Sequence, residues 1–295
     1  IFKSTLIRES VYEIQLKKRL RYLHNLAAES IEEIYKDDIR EHYSDLAFHY
    51  EKAETDKKAC LYLGKSGKQA KYRFLNDKAL DFFERKIAVI TKMLTSYDMK
   101  SLSESGFEIV KDLIDTLFEK KFILQLTGRQ EEAEITILKA KELSYETEDD
   151  ERIGKSLLDY ANIQRNTGKT QEAKENLDAA KDIFERINNQ EMLGLTYLDM
   201  GIVNFWLGKN DDALTCFEQE LEIFTQLDDK RKIADALGNI GVAHRYKGNL
   251  KEAMDFLMQQ RRLSEELSDK LQLARTSGNI GWIYEGEENY DKALE

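Results

Sequence analysis

Proline is missing from all 295 residues of this chain. It breaks helix interiors, so its absence, with charged residues at 34% of the composition, predicts long solvent-facing helices with nothing to interrupt them. Cysteine is nearly missing too. Cys60 and Cys216 stand far apart without metal-type spacing, which excludes a disulfide framework and leaves two small packing residues in a reducing compartment. No apolar run approaches the roughly 18 to 20 residues of a membrane span and no signal peptide opens the chain, so the cytoplasm is the expected location. Basic residues are outnumbered by acidic ones, 45 to 56, for a formal net charge of −11. Such a surface repels phosphate backbones and anionic headgroups, so neither nucleic acid nor a membrane is the expected partner.

What the chain does have is a period. Ala133, Ala173, Ala213, Ala253 and Ala293 are spaced by 40 residues, and each of the first four follows a glycine five positions earlier, at Gly128, Gly168, Gly208 and Gly248. Other columns keep this register: aliphatic Ile153, Leu193, Ile233 and Leu273; aliphatic Leu143, Ile183, Ile223 and Leu263; short polar Asp149, Asn189, Asp229 and Asp269. A fixed period means a stack of units, each meeting its neighbours, and such stacks present long binding surfaces.

The unit reads as two helices. Asp229 is a good N-cap for a helix A that carries Ile233, Leu237, Ile240, Gly241 and His244 along one stripe. Gly248 can take the left-handed turn that ends it, and helix B follows through Ala253, Leu257, Gln260 and Leu263. Small residues, Gly201, Gly241 and Gly281 in helix A and the five alanines in helix B, mark where paired helices approach closely. The fold class predicted is all-α.

Leu237, Ile240, Gly241, Ala253 and Leu257, with Ile280, Gly281, Tyr284, Tyr290 and Ala293, resemble the tetratricopeptide repeat pattern over residues 121–295. The 40-residue period exceeds the usual 34 and the proline that often ends helix B is absent, which implies longer helices. Gly238-Asn239-Ile240-Gly241 and Gly278-Asn279-Ile280-Gly281 look most like the repeats of G-protein-signalling modulators, kinesin light chains and many bacterial signalling proteins. The resemblance implies a right-handed superhelical solenoid of antiparallel helix pairs that acts as a scaffold or sensor.

Residues 36–120 keep a looser register. Ala59 with Leu63 and Ala79 with Phe83 look like two more helix-B signatures, only 20 residues apart; about three irregular helical pairs are expected, with a loop in Lys92–Gly106. Residues 1–35 differ again. Leu6-Ile7-Arg8-Glu9-Ser10-Val11-Tyr12 and Arg21-Tyr22-Leu23-His24 resemble the junction between ATPase and repeats in bacterial ATPase, cyclase and kinase hybrids, which implies the tail of an upstream domain. The chain starts at Ile1 and stops at Glu295, a few residues into an expected helix, so it reads as a segment of a larger protein, truncated at the C-terminus.

Two motifs imitate chemistry. Ala59-Cys60-Leu61-Tyr62-Leu63-Gly64-Lys65-Ser66 fits a permissive phosphate-loop pattern, but a phosphate loop follows a buried strand and opens a helix, whereas Ala59 falls in a repeat-like helical position. Gly168-Lys169-Thr170 reads as an inter-helix turn. His42, Asp45 and His49 share one face of a predicted helix without a clear fourth ligand, and read as packing. No cofactor, metal or catalytic residue is expected, and the chain itself is expected to be no enzyme.

The resemblance implies that the inner face of helix A lines a concave groove. The positions projecting into it would be Asn162, Arg165, Asn166, Asp199, Ile202, Phe205, Trp206, Asn239, Val242, Arg245, Tyr246, Arg275, Asn279 and Trp282. Asparagine can pair with peptide backbone, arginine can grip carboxylates in two-pronged fashion, and the aromatics offer large rigid contact area. With Arg165, Arg245 and Arg275 in an acidic molecule, the expected ligand is a protein or peptide segment of acidic and apolar character, or an upstream domain of the same chain. Two functions follow: an interaction scaffold in a larger signalling protein, or the regulatory sensor arm of a nucleotide-dependent ATPase, cyclase or kinase.

Overall fold

The computed structural model describes residues 17–95 and 103–286. Thirteen α-helices and one 3-10 turn occupy them, with no strand among the described residues. The chain forms two compact units, one ending at Thr147 and the other beginning at Glu148.

Unit 2 contains α7 (Asp150–Asn166), α8 (Thr170–Arg186), α9 (Gln190–Trp206), α10 (Asn210–Gln226), α11 (Lys230–Tyr246), α12 (Leu250–Glu266) and α13 (Lys270–Gly286). Each has 17 residues, about 25 Å of helix, and three-residue turns separate them. The odd-numbered ones are the A helices. Their N-caps are the short polar column: Asp149 accepts from the amide of Arg152, Asn189 from Met192, Asp229 from Arg231 and Lys232, each worth about 1 kcal/mol. The A helices end at Gly168, Gly208 and Gly248, with φ of 80°, 74° and 81°. A Cβ there would touch nothing within 4 Å, so backbone conformation alone demands glycine. Such a turn reverses the chain and lays helix B antiparallel to helix A.

Paired helices trade volume across their contact. A Cβ on Gly154 would stand 2.7 Å from the Phe184 ring, and one on Gly194 2.8 Å from Phe224. In the next repeat both partners change together, to Ala234 and Ser264, each buried. Gly201 likewise admits Phe217 and Gly241 admits Leu257. Ala173, Ala213 and Ala253 have no exposed surface, as their role at the close approach requires; Ala293 lies outside the described residues.

Unit 1 contains α1 (Lys17–Ile34), the 3-10 turn Ile39–His42, α2 (Tyr43–Lys52), α3 (Asp56–Tyr72), α4 (Asn76–Leu94), α5 (Glu104–Leu126) and α6 (Gln130–Glu146). Its helices run from 10 to 23 residues. Here Ala59 needs correction. It opens α3, an A helix, in the first-turn position of Ile153 and Leu193, whereas Ala79 belongs to the B helix of the same pair. A separation of 20 is thus the distance from helix A to helix B, which a small residue at both positions disguised. Gly67 of α3 admits Phe83 of α4, a Cβ there falling 2.5 Å from the ring, just as Gly201 admits Phe217.

The expected boundary at 120/121 falls inside α5, and α1 contributes Ala28 to a core with Leu46, Ala47, Tyr50, Ala59, Tyr62 and Leu63. Residues 1–16, most of the junction-like segment, lie outside the described residues. So do 96–102 of the expected Lys92–Gly106 loop, whose flanks are helical.

Candidate functional site: the A-helix faces

In unit 2 the end of each A helix meets the next A helix through side chains. Arg165 of α7 donates through Nη1 to Oδ1 of Asp199 on α9 at 2.5 Å. The same oxygen accepts from Asn162 at 3.5 Å, and Asn166 donates to Asn162 at 3.3 Å. The Arg165 guanidinium also lies 5.8 Å from the Trp206 ring. From α9 to α11, Phe205 meets Tyr246 edge to face at 4.8 Å. From α11 to α13, Arg245 lies 4.9 Å from the ring of its neighbour Tyr246 and 5.5 Å from that of Trp282. A ladder of arginine and aromatic rungs therefore runs across four A helices.

These residues divide into support and surface. Trp206, Tyr246 and Trp282 are 57%, 60% and 67% exposed, whereas Ile202 and Phe205 pack against Ala213, Phe217, Ile240 and Ala243. Arg275 is exposed; Asn239, Val242, Arg245 and Asn279 are half-buried. One expectation changes here. The Arg165 and Asp199 side chains retain only 12% and 16% of their exposure, and a guanidinium already held by a carboxylate is not free to grip one from a ligand. Arg245, by contrast, lies against two aromatic rings and has no ion-pair partner among the described residues.

Beneath the ladder lies a group the sequence did not advertise. Glu220 of α10 is fully buried; Asn239 donates to its Oε2 at 3.4 Å, and its Oε1 has no partner. Burial, reinforced by Asp235 and Asp199, pushes its carboxyl up to about 8, against the pull of Asn239 and Lys232. Burial likewise pushes Asp199 upward, opposed by Arg165 and Asn162. Glu220 was hidden because acidic residues at three- and four-residue spacing normally mark solvated helix faces. Its column holds Ala140 and Ala180 in the earlier repeats, and that break in chemistry was the available signal.

Unit 1 carries the same rungs, also missed. Lys71 stands three residues before Phe74, as Arg165 does before Gly168; Glu119 stands nine before Gly128, as Asp199 does before Gly208. Lys71 donates to Glu119 at 2.6 Å and its ammonium lies 4.5 Å from the Phe122 ring. Counting from the turn residue, rather than from the alanines, would have exposed the equivalence.

The imitation motifs have plain places. Ala59–Ser66 is helical throughout, within α3. The His42 ring lies 3.8 Å from that of Tyr35, tilted by 31°, whereas the Nδ1 of His49 lies 2.9 Å from that of His24, so the two histidines face different neighbours. Among the described residues no three His, Cys, Asp or Glu side chains form a group able to hold a metal ion. Burial pushes the Cys60 thiol up to about 12 and raises that of Cys216, as suits packing residues. No helix among the described residues is long and apolar enough to cross a membrane.

Residues 192–266 match the family model described as tetratricopeptide repeat. This stretch is a tetratricopeptide array. Beyond it, solved structures share the arrangement of antiparallel helix pairs. Aspartyl phosphate phosphatase F from Bacillus subtilis aligns with a TM-score of 0.65 at 14% identity, covering 98% of this chain and 84% of that one. A Rap protein complexed with Competence and Sporulation Factor gives 0.56 at 14%, covering 96% and 80%. A Signal Transduction ATPase with Numerous Domains protein with a tetratricopeptide repeat sensor, from Pyrococcus horikoshii, gives 0.57 at 16%; 96% of this chain corresponds to 48% of that protein. No match was found among curated proteins. At these identities the likeness is one of fold, and the repeat array of unit 2 provides the frame on which the ladder is mounted.

Proposed function

We propose that the chain is a protein-interaction module whose unit 2 binds a peptide or partner segment along the ladder. The observation that carries this is the set Trp206, Tyr246 and Trp282: three large rings, more than half exposed, held on successive A helices by an edge-to-face ring contact and by arginine contacts. Rigid aromatic area of this kind supplies about 2 kcal/mol or more per well-seated anchor. Arg245, between two rings and lacking a carboxylate, would take an acidic group, so the ligand favoured is apolar with at least one carboxylate; Arg275 and Asn279 would flank it. The Rap protein complexed with Competence and Sporulation Factor offers a precedent for ligand binding on this fold.

The test is affinity capture from the source cell's lysate, comparing the chain with a Trp206→Ala, Tyr246→Ala, Trp282→Ala variant and identifying bound proteins by mass spectrometry. A partner held by the unmodified chain alone is the expected result. Equal capture by both, with the variant melting normally, would overturn the proposal.

The second reading, a sensor arm of a nucleotide-dependent signalling enzyme, draws on the repeat-sensor ATPase above. It requires that binding at the ladder change the turnover of a catalytic domain in the same protein.

A further inference from the structure

Helix α3 concentrates positive charge in an acidic chain: Lys57, Lys58, Lys65, Lys68 and Lys71 against Asp56 alone. Lys65, Lys68 and Tyr72 lie at i, i+3 and i+7, on one face. The neighbouring cations are already engaged. Lys58 donates to Glu32 at 2.7 Å and to the Tyr50 hydroxyl at 2.8 Å; Lys71 holds Glu119, and the largely exposed Lys68 reaches that same carboxylate only at 4.0 Å.

Lys65 is different. Half-buried, its ammonium lies 5.2 Å from the rings of both Tyr43 and Tyr62, and it forms no ion pair among the described residues. Tyr62 spends its hydroxyl on Glu32 at 2.6 Å. The cluster of Glu32, Lys58, Lys65, Tyr43, Tyr50 and Tyr62 thus holds two ammonium groups and one carboxylate, with the uncompensated charge at Lys65. Counted from the turn, Lys65 stands nine residues before Phe74, in the column that unit 2 fills with Asp159, Asp199 and Asn239. The pair of α3 and α4 has reversed the sign at this position, whereas the next pair of unit 1 keeps a carboxylate there, Glu119.

We propose that this face of unit 1 docks an acidic peptide segment of a protein partner. One carboxylate of the segment pairs with Lys65 over the two tyrosine rings, Lys68 takes a second, and the exposed Tyr72 ring, one turn further along the helix, covers an apolar residue beyond them. A polyphosphate chain fits less well: Glu32, Glu41 and Glu119 stand in the same unit, each opposite a cation, and the net charge of −11 opposes a dense line of phosphates.

The test uses the whole chain and a fluorescent peptide of six glutamates flanked by leucines, titrated at low salt by anisotropy. Lys65→Met is expected to weaken binding about tenfold and Lys65→Arg to retain it, because a charge paired beneath rings contributes far more than a rim charge. Lys68→Glu, at an exposed position that leaves folding intact, should weaken binding about threefold or more, and Lys251→Met in unit 2 should change nothing. Absence of saturable binding, binding unaffected by both Lys65→Met and Lys68→Glu, or tighter binding of a single-stranded oligonucleotide would each overturn the proposal. All titrations are made in a Trp206→Ala, Tyr246→Ala, Trp282→Ala background, which takes the ladder of unit 2 out of the readout, so the two proposals fail separately.

Discussion

The two units solve the same packing problem with different discipline. Unit 2 repeats one 17-residue helix seven times and closes its first three A helices with a left-handed glycine. Unit 1 uses helices of 10, 17, 18, 19 and 23 residues, and at the first such turn places Phe74, with φ of 58° and its ring 83% exposed. The turn is otherwise the same: the amides of Phe74 and Leu75 reach back to Lys71 and Ala70 at 3.0 and 2.9 Å, as those of Gly168 and Lys169 reach Arg165 and Gln164 at 3.1 and 2.8 Å. Regular length is therefore not what defines the fold. Turn geometry, the glycine–aromatic contact and the cation–carboxylate rung survive in the irregular unit.

The comparison is broken most forcefully at its shared contact. Gly67→Ala and Gly201→Ala each drive a methyl into a phenylalanine ring at 2.5 and 2.4 Å, so each should destabilise by about 2 to 3 kcal/mol through overpacking. Urea denaturation of both variants checks this, and a loss in one unit only would mean that the contacts are not equivalent.

Glu220 sharpens the contrast, because a fully buried carboxyl with one unpartnered oxygen is specific to unit 2's interior. Its folded value near 8 lies above the ordinary 4.5, so the folded state holds the proton more tightly. Its contribution is intact below about pH 4.5 and is lost as pH rises toward 8. Glu220→Gln removes that loss and should gain about 1 to 2 kcal/mol at pH 8 while matching the parent near pH 4.5. Melting curves across this range decide it; a variant less stable than the parent at pH 8 would mean that the carboxylate is satisfied.

The smallest effect concerns the turn itself. Phe74→Gly should stabilise by about 0.5 to 1 kcal/mol by relieving the left-handed strain, and Gly208→Ala should destabilise by about 1 kcal/mol. If Phe74→Gly destabilises instead, the exposed ring has a packing role that offsets the strain.

Period, helix pairing, N-caps and turn glycines were legible in the sequence because each depends on local chemistry: short polar side chains cap helices, glycine alone takes positive φ freely, and small residues mark close approach. The ladder was legible in part. Trp206, Tyr246 and Trp282 are exposed and Arg245 lacks a carboxylate, but Arg165 turned out to be occupied, because what an arginine meets depends on a residue 34 positions away. Glu220's burial, the unit 1 rungs and the uncompensated charge on Lys65 were likewise decided by tertiary structure. A charged side chain looks the same in sequence whether it faces water or a neighbouring helix, and only packing assigns its partner.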